Sequence, residues 1–202
     1  MLAELAAREG WTPAERPRAV TGKAEGAWGM SRGAEALLDQ LVTWRELGYV
    51  FCAHEPDHAR YEALPAWAQK TLAKHARDRR PLLYSREELA EARTADPLWN
   101  AAQRQLLLEG RIHNALRMLW GKRVLEWTRR PEEAHAILFE LNDRYAIDGR
   151  DPNSVSGIGW IFGLFDRAWG PERPVYGTVR YLSSAAQRRK LKLAEWLARF
   201  GT

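Results

Sequence analysis

Ten tryptophans in 202 residues are the first chemical signal in this sequence. Trp120 and Trp127 stand seven residues apart, so on one helix they face nearly the same way, ~10 Å apart along the axis. Trp99 sits one helix earlier, just after Pro97. Rings at such separations serve either as large core residues or as a relay of single electrons toward a redox cofactor, and spacing alone leaves both open. A second pattern, His54-Glu55-Pro56-Asp57-His58, spells the HExxH of zinc proteases. That chemistry needs both histidines on one helical face. Pro56 cannot sit in a helix interior and Asp57 adds turn character, so a solvated loop is expected and no metal site. Neither a Gly-rich phosphate loop nor a Gly-x-Ser-x-Gly elbow is present. Arg188, Arg189, Lys190 and Lys192 form a basic run that suits a phosphate track or a solvated helix face. Cys52 stands alone, which excludes a disulfide framework and a Cys-built zinc site and fits a reducing compartment.

The elements that must position these residues read as helices. β-Branched alternation is almost absent and no solenoid period is visible. Residues 1–30, punctuated by Pro13, Pro17, Gly22, Gly26 and Gly29, read as a connecting arm, and 31–202 as one helical domain. Ser31 caps a helix expected to run to about Leu47, and a second runs from Leu64 to Arg77. Ser85 with Glu88 is a capping box, and Pro97 and Gly110 delimit the next helix. The apolar set Ile112, Leu116, Leu119, Trp120, Val124 and Trp127 keeps helical spacing, as do Ala134, Ile137, Leu138, Leu141 and Tyr145 after Pro131. A polar loop over 148–153, a Gly-rich apolar segment over 157–165 and a basic helix from Ser184 to Phe200 complete the chain. The fold class is all-α. Composition agrees: 46% hydrophobic and 28% charged residues describe a globular chain, and 31 − 26 = +5 suits a polyanionic partner. The charged N-terminus is no signal peptide and no apolar stretch approaches a membrane span, so a cytoplasmic protein is expected.

A series of motifs then follows in order. It comprises Asp96-Pro97-Leu98-Trp99-Asn100-Ala101-Ala102-Gln103, Gly110-Arg111-Ile112-His113-Asn114, Arg117-Met118-Leu119-Trp120-Gly121-Lys122 and Leu125-Glu126-Trp127. Leu141-Asn142-Asp143-Arg144-Tyr145, Asp148-Gly149-Arg150-Asp151-Pro152-Asn153, Asp166-Arg167-Ala168-Trp169-Gly170 and Gly177-Thr178-Val179-Arg180-Tyr181 continue it. The series resembles the C-terminal, FAD-binding helical domain of class II cyclobutane pyrimidine dimer photolyases. The likeness covers roughly residues 28 to 202 and is densest from 94 to 182.

In that family, excited reduced FAD gives one electron to a pyrimidine dimer in damaged DNA, the cyclobutane ring opens and the electron returns. The resemblance implies that Asn142 lies near the flavin N5 and that Arg117 and Asp148 form a charge pair beside the isoalloxazine. It places His113, Asn114 and Met118 on the flavin-contacting helix and makes Trp99, Trp120 and Trp127 the photoreduction tryptophans, in no order the sequence fixes. Trp44 and Trp160 match the aromatic walls that receive an extruded dimer, and Arg167 and Arg180 match pocket-side arginines. Around Arg167 the spacing is one residue shorter than the family pattern. Gln40, four residues before Trp44, stands where the family commonly has a glutamate; it keeps an acceptor but loses the charge.

The family's N-terminal antenna domain and the segment that cradles the FAD diphosphate have no counterpart in these residues. The expectation is therefore a photolyase fragment that binds FAD weakly by itself and works with a missing N-terminal half. A cryptochrome-like light sensor, favoured by Gln40, and an apo helical remnant are the alternatives.

Overall fold

The computed structural model describes residues 2–15 and 26–201. Among the described residues there are helices, one isolated antiparallel bridge between Arg173 and Gly177, and no sheet, so the all-α expectation holds. The α-helices are α1 (Leu2–Glu9), α2 (Arg32–Leu38), α3 (Arg45–His54), α4 (Ala66–Lys74), α5 (Arg86–Ala90) and α6 (Pro97–Glu109). They continue with α7 (Asn114–Trp127), α8 (Pro131–Tyr145), α9 (Pro152–Ile161), α10 (Ser184–Lys190) and α11 (Ala194–Phe200). A π-helical stretch, Asp39–Trp44, joins α2 to α3 without a break.

Local chemistry sets most starts. The Ser31 hydroxyl accepts the Ala34 N–H, and Ser85 and Glu88 exchange the two bonds of a capping box at 3.2 and 2.8 Å. Asp96 accepts the N–H groups of Leu98 and Trp99, with Pro97 at the first helical position. Gly110 ends α6 at φ 68°, a left-handed conformation that only glycine adopts without strain. At the other end of the pattern His54 closes α3 and Glu55 is extended at φ −111°, ψ 99°, so the His-Glu-Pro-Asp-His run does not share a helix.

Helix α7 is the centre of the molecule. It packs against α6, α8, α9 and α10 and buries Leu116, Leu119, Trp120, Val124, Leu125 and Trp127. From Ala115 to Trp127 no residue of α7 is exposed, its charged side chains Arg117, Lys122, Arg123 and Glu126 included. Helix α3 lies against α9 with Gly48 at the crossing, where a Cβ would come within 2.9 Å of the Pro152 carbonyl. That close approach carries Trp44, one turn earlier, onto α9.

The structure adds one element to the arm and corrects the bounds of two helices. The described part of the arm holds α1, whose Glu9 accepts the Ser31 N–H and hydroxyl at 2.8 and 2.7 Å; Pro17 and Gly22 lie outside the described residues. The Glu35 carboxylate is buried, which raises its pKa, yet the N–H groups of Gly26, Trp28, Gly29 and Met30 outweigh this and hold it below the ordinary value. The Ser31 helix continues past Leu47 to His54 because α9 gives its second half a packing surface. The single C-terminal helix is two: Leu191 is extended, and the break lets Trp196 on α11 donate to Gln105 of α6 at 2.9 Å.

One buried titratable group yields a stability prediction. His135 on α8 lies against Phe139, Phe162 and Tyr61, at 4.8, 5.3 and 5.8 Å between ring centroids. Burial pushes its pKa down to about 4, with Glu62 opposing weakly. The unfolded chain therefore binds the proton first, and stability present above about pH 6.5 is lost as pH falls toward 4. His135→Phe should remove an acid-side loss on the order of 3 kcal/mol. Thermal melts at pH 7 and pH 4.5 measure it, and an equal fall in both proteins would reject the assignment.

Candidate functional site

Arg117, Trp120 and Asn142 converge from α7 and α8 on a small depression, bordered by Ser154, Ile158 and Ile161 of α9. Arg117 holds Asp148 through two parallel bonds, Nη1 to Oδ2 at 2.6 Å and Nη2 to Oδ1 at 3.0 Å. Asn142 is 2% exposed, and its side-chain Nδ2 is buried without a hydrogen-bond partner. An amide donor left open costs about 1–3 kcal/mol, so a ligand acceptor is the natural complement. Gly157 also borders the depression and has open space where a Cβ would stand. An apolar wall, an open amide and a guanidinium together suit a ligand that presents hydrogen-bond acceptors and negative charge. His113 and Asn114 are exposed at the start of α7, where the His113 ring caps the Ala115 N–H at 3.3 Å, and Met118 packs against the core. None of these three lines the depression.

From the depression a chain of rings runs through the core. Trp120 and Trp99 are nearly parallel, 6° apart in plane and 6.5 Å between centroids. Trp99 meets Trp127 edge-on at 5.5 Å, and Trp127 meets Tyr84 at 5.1 Å. All three tryptophans are at most 1% exposed. The Trp99 indole N–H donates to the Trp120 carbonyl at 2.9 Å, and the Trp120 N–H donates to Gln103 Oε1 at 2.8 Å. Trp99 is thus the middle ring, an order that spacing did not supply.

Another face of α9 carries Trp160, which stacks on Trp44 at 4.6 Å and 26°. The two rings meet each other and leave no slot between them. The Trp44 N–H donates to Asp39 Oδ2 at 2.9 Å, within the π-helical stretch, where Gln40 is exposed. Arg167 and Arg180 each place a guanidinium 4.3 Å from the Trp169 ring. Asp166 gathers this corner: it accepts from Trp169 at 3.1 Å and from Trp160, and pairs with Arg180 at 3.2 Å. Burial raises its pKa, but these donors outweigh burial and hold it below the ordinary aspartate value.

No family model matches the chain. It is 45% identical over 162 residues to a deoxyribodipyrimidine photo-lyase of Methanothermobacter thermautotrophicus, covering 80% of this chain and 36% of that protein. The photo-lyase of Oryza sativa subsp. japonica is 44% identical over 168 residues, 83% of this chain and 33% of its own length. That of Potorous tridactylus is 46% identical over 160 residues, 79% of this chain and 30% of its own. The chain is a photolyase homologue. It spans about a third of the length of these curated relatives. A cryptochrome-1 of Aedes aegypti is 35% identical over a shorter stretch of 85 residues, 42% of this chain.

In this photolyase homologue the sequence motifs contained three residues whose roles they did not disclose. Asp166 and Trp169 sit three apart in a quoted motif, and a carboxylate next to an arginine and near a tryptophan was the available signal. Lys122 lies fully buried on α7, and its ammonium donates to the carbonyl of Ile161, the last residue of α9. Burial pushes its pKa down to about 7; Asp166 opposes that shift and Arg180 adds to it. Beside it a Cβ on Gly121 would overlap the Ile161 side chain, so α7 and α9 interlock at this point. No helix among the described residues is long and apolar enough to cross a membrane.

Proposed function

We propose that this chain is the FAD- and dimer-binding helical region of a class II photolyase, acting in light-dependent repair of cyclobutane pyrimidine dimers in DNA. Helix α9 carries the proposal, because it walls the depression with Ser154, Ile158 and Ile161 while another face bears Trp160. Residues of one helix thus border both the depression and the Trp44–Trp160 pair. Reduced FAD, when bound, supplies a photoexcited electron and takes it back. The protein's own residues hold and tune the site: Asn142 donates from its open amide, and the Arg117 guanidinium, fixed by Asp148, stabilises negative charge. Trp127, Trp99 and Trp120 offer a buried path for single electrons toward the depression. Residues 31–202 form this domain, and the upstream photolyase segment that holds the diphosphate is its partner. The light-sensor reading keeps one supporting feature, the exposed amide of Gln40 in place of a carboxylate.

The extruded dimer must insert between Trp44 and Trp160 or displace one of them. Stacking on an aromatic face is worth about 1–3 kcal/mol per base. In the FAD-loaded protein reconstituted with its upstream segment, Trp160→Ala should weaken binding to dimer-containing DNA by about ten- to a hundredfold. Binding to undamaged DNA rests on phosphates, should change little and should fall steeply with salt. Equal loss on both DNAs in a filter or fluorescence binding assay would reject the pocket.

A further inference from the structure

The two rings of the Trp44–Trp160 pair are each tied through the indole N–H to a carboxylate, and the two ties differ in kind. Trp160 donates to Asp166, whose side chain is 8% exposed and also holds the Trp169 indole, the Arg167 backbone N–H and the Arg180 guanidinium. Trp44 donates at 2.9 Å to Asp39, a half-buried residue of its own helical stretch. Five positions separate Asp39 from Trp44. At ~100° per residue an α-helix turns such a pair about 140° apart, which keeps the carboxylate off the ring. The π register of Asp39–Trp44 closes its turn on residues i and i+5 and brings the two together. Both flanks of the stretch are anchored. On one side Leu38 is fully buried and Glu35 takes the N–H groups of Trp28 and Gly29; on the other Gly48 meets the Pro152 carbonyl of α9. No residue of the stretch itself is buried.

On the reading of Trp44 and Trp160 as walls of a base pocket, we propose that Asp39 is a positioning residue that sets the plane of the Trp44 ring, and that Trp44 is the wall that yields when a base enters. A base between the rings requires them to part by about 3.5–4 Å, the depth of one further ring contact. Moving Trp160 pulls its indole off Asp166 and disturbs a carboxylate that holds three other groups. Moving the 39–44 stretch breaks no such network, because ring and carboxylate ride on it together and their bond travels with them. Trp44 therefore keeps its plane as it withdraws and meets the second face of the base already oriented. A ring free to turn has to be ordered at the moment of binding, which weakens the complex. The role requires an acceptor, so asparagine can replace Asp39, and leucine, of similar shape, cannot.

The first arm of the test uses the chain alone, without flavin or DNA. Indoles stacked at 4.6 Å couple in circular dichroism, and the wild-type spectrum minus that of Trp44→Phe isolates the couplet of this pair. Asp39→Leu should lose most of that couplet while thermal melts show a folded protein, with Asp39→Ala in its place should the leucine variant melt early. Asp39→Asn should keep the couplet, as should Glu46→Ala, which removes a nearby carboxylate paired with Arg45. A full couplet in Asp39→Leu, or equal loss in Asp39→Asn, would overturn the positioning role. The second arm uses the FAD-loaded protein reconstituted with its upstream segment, and an oligonucleotide carrying one thymine dimer. Asp39→Leu should bind it about tenfold more weakly than the wild type and Asp39→Asn within about twofold, with undamaged DNA bound alike by all three. Wild-type affinity in Asp39→Leu beside weakened Trp160→Ala would overturn the role of Asp39 in binding. Wild-type affinity in both variants would overturn the pocket reading itself, whatever the couplet shows.

Discussion

Lys122→Met should make the protein more stable at pH 6 and less stable above pH 10.5. The native amine titrates at about 7 against 10.5 for an ordinary lysine, because it has left water for the α7–α9 contact. Between those values the unfolded chain binds the proton and the folded chain does not, so wild-type stability rises with pH across that window. Below pH 7 both states are protonated and the folded state carries the full penalty, on the order of 5 kcal/mol. Methionine removes that penalty and also removes the donor to the Ile161 carbonyl, a loss of about 1–3 kcal/mol. The net at pH 6 is a gain of roughly 2–4 kcal/mol, and only the loss remains where the amine is already neutral. Urea denaturation at pH 6 and pH 10 measures the difference; parallel curves for the two proteins would reject the buried amine as its source. A residue that costs stability yet clamps the carbonyl end of α9, where a helix favours positive charge, serves to place that helix. Ile161 walls the depression and its neighbour Trp160 faces Trp44.

Local signals made much of this architecture readable. Ser31, Ser85, Asp96 with Pro97, and Pro131 start helices through bonds or ring constraints that span at most four residues, so the chain itself states them. The break at Leu191–Leu193 was hidden because its cause is distant: Trp196 reaches Gln105, ninety-one residues away. Helix α9 read only as a Gly-rich apolar segment since Ser154, Ser156, Gly157 and Gly159 are weak helix formers. Their small size is what the packing uses, as a Cβ on Gly159 would come within 2.5 Å of Leu164. The tryptophans could be placed on their helices by period, but the parallel Trp99–Trp120 pair depends on how α6 crosses α7. Lys122 and Asp166 escaped notice for a general reason: a lysine or aspartate in a sequence reads as surface, and only tertiary structure reveals that it is enclosed. Trp44 and Trp160 carry the same lesson in reverse, since the walls read from the sequence are stacked on one another.

Trp120→Phe, in the FAD-loaded protein, should abolish photoreduction or slow it severely while leaving the helical circular dichroism nearly unchanged. Trp120 is the one ring that both borders the depression and stacks on Trp99. Phenylalanine keeps most of the packing volume but is much harder to oxidise, so the path is cut at its inner end. The structural cost is bounded: the substitution removes the indole donor to Gln103 Oε1, a buried bond worth about 1–3 kcal/mol when its acceptor is left open. Gln103 keeps its bond to the Ala90 carbonyl at 3.1 Å, and Trp99 donates to the backbone oxygen of residue 120, which the substitution retains. Trp99 and Trp127 should therefore stay in place. Trp127→Phe should slow photoreduction less than Trp120→Phe does, because the two inner rings remain. The measurement is the rate of flavin bleaching under blue light with a soluble reductant present, read beside the far-ultraviolet spectrum of each variant. A Trp120→Phe protein that stays folded, binds FAD and photoreduces at the wild-type rate would return these rings to ordinary core packing, with electrons reaching the flavin by another route.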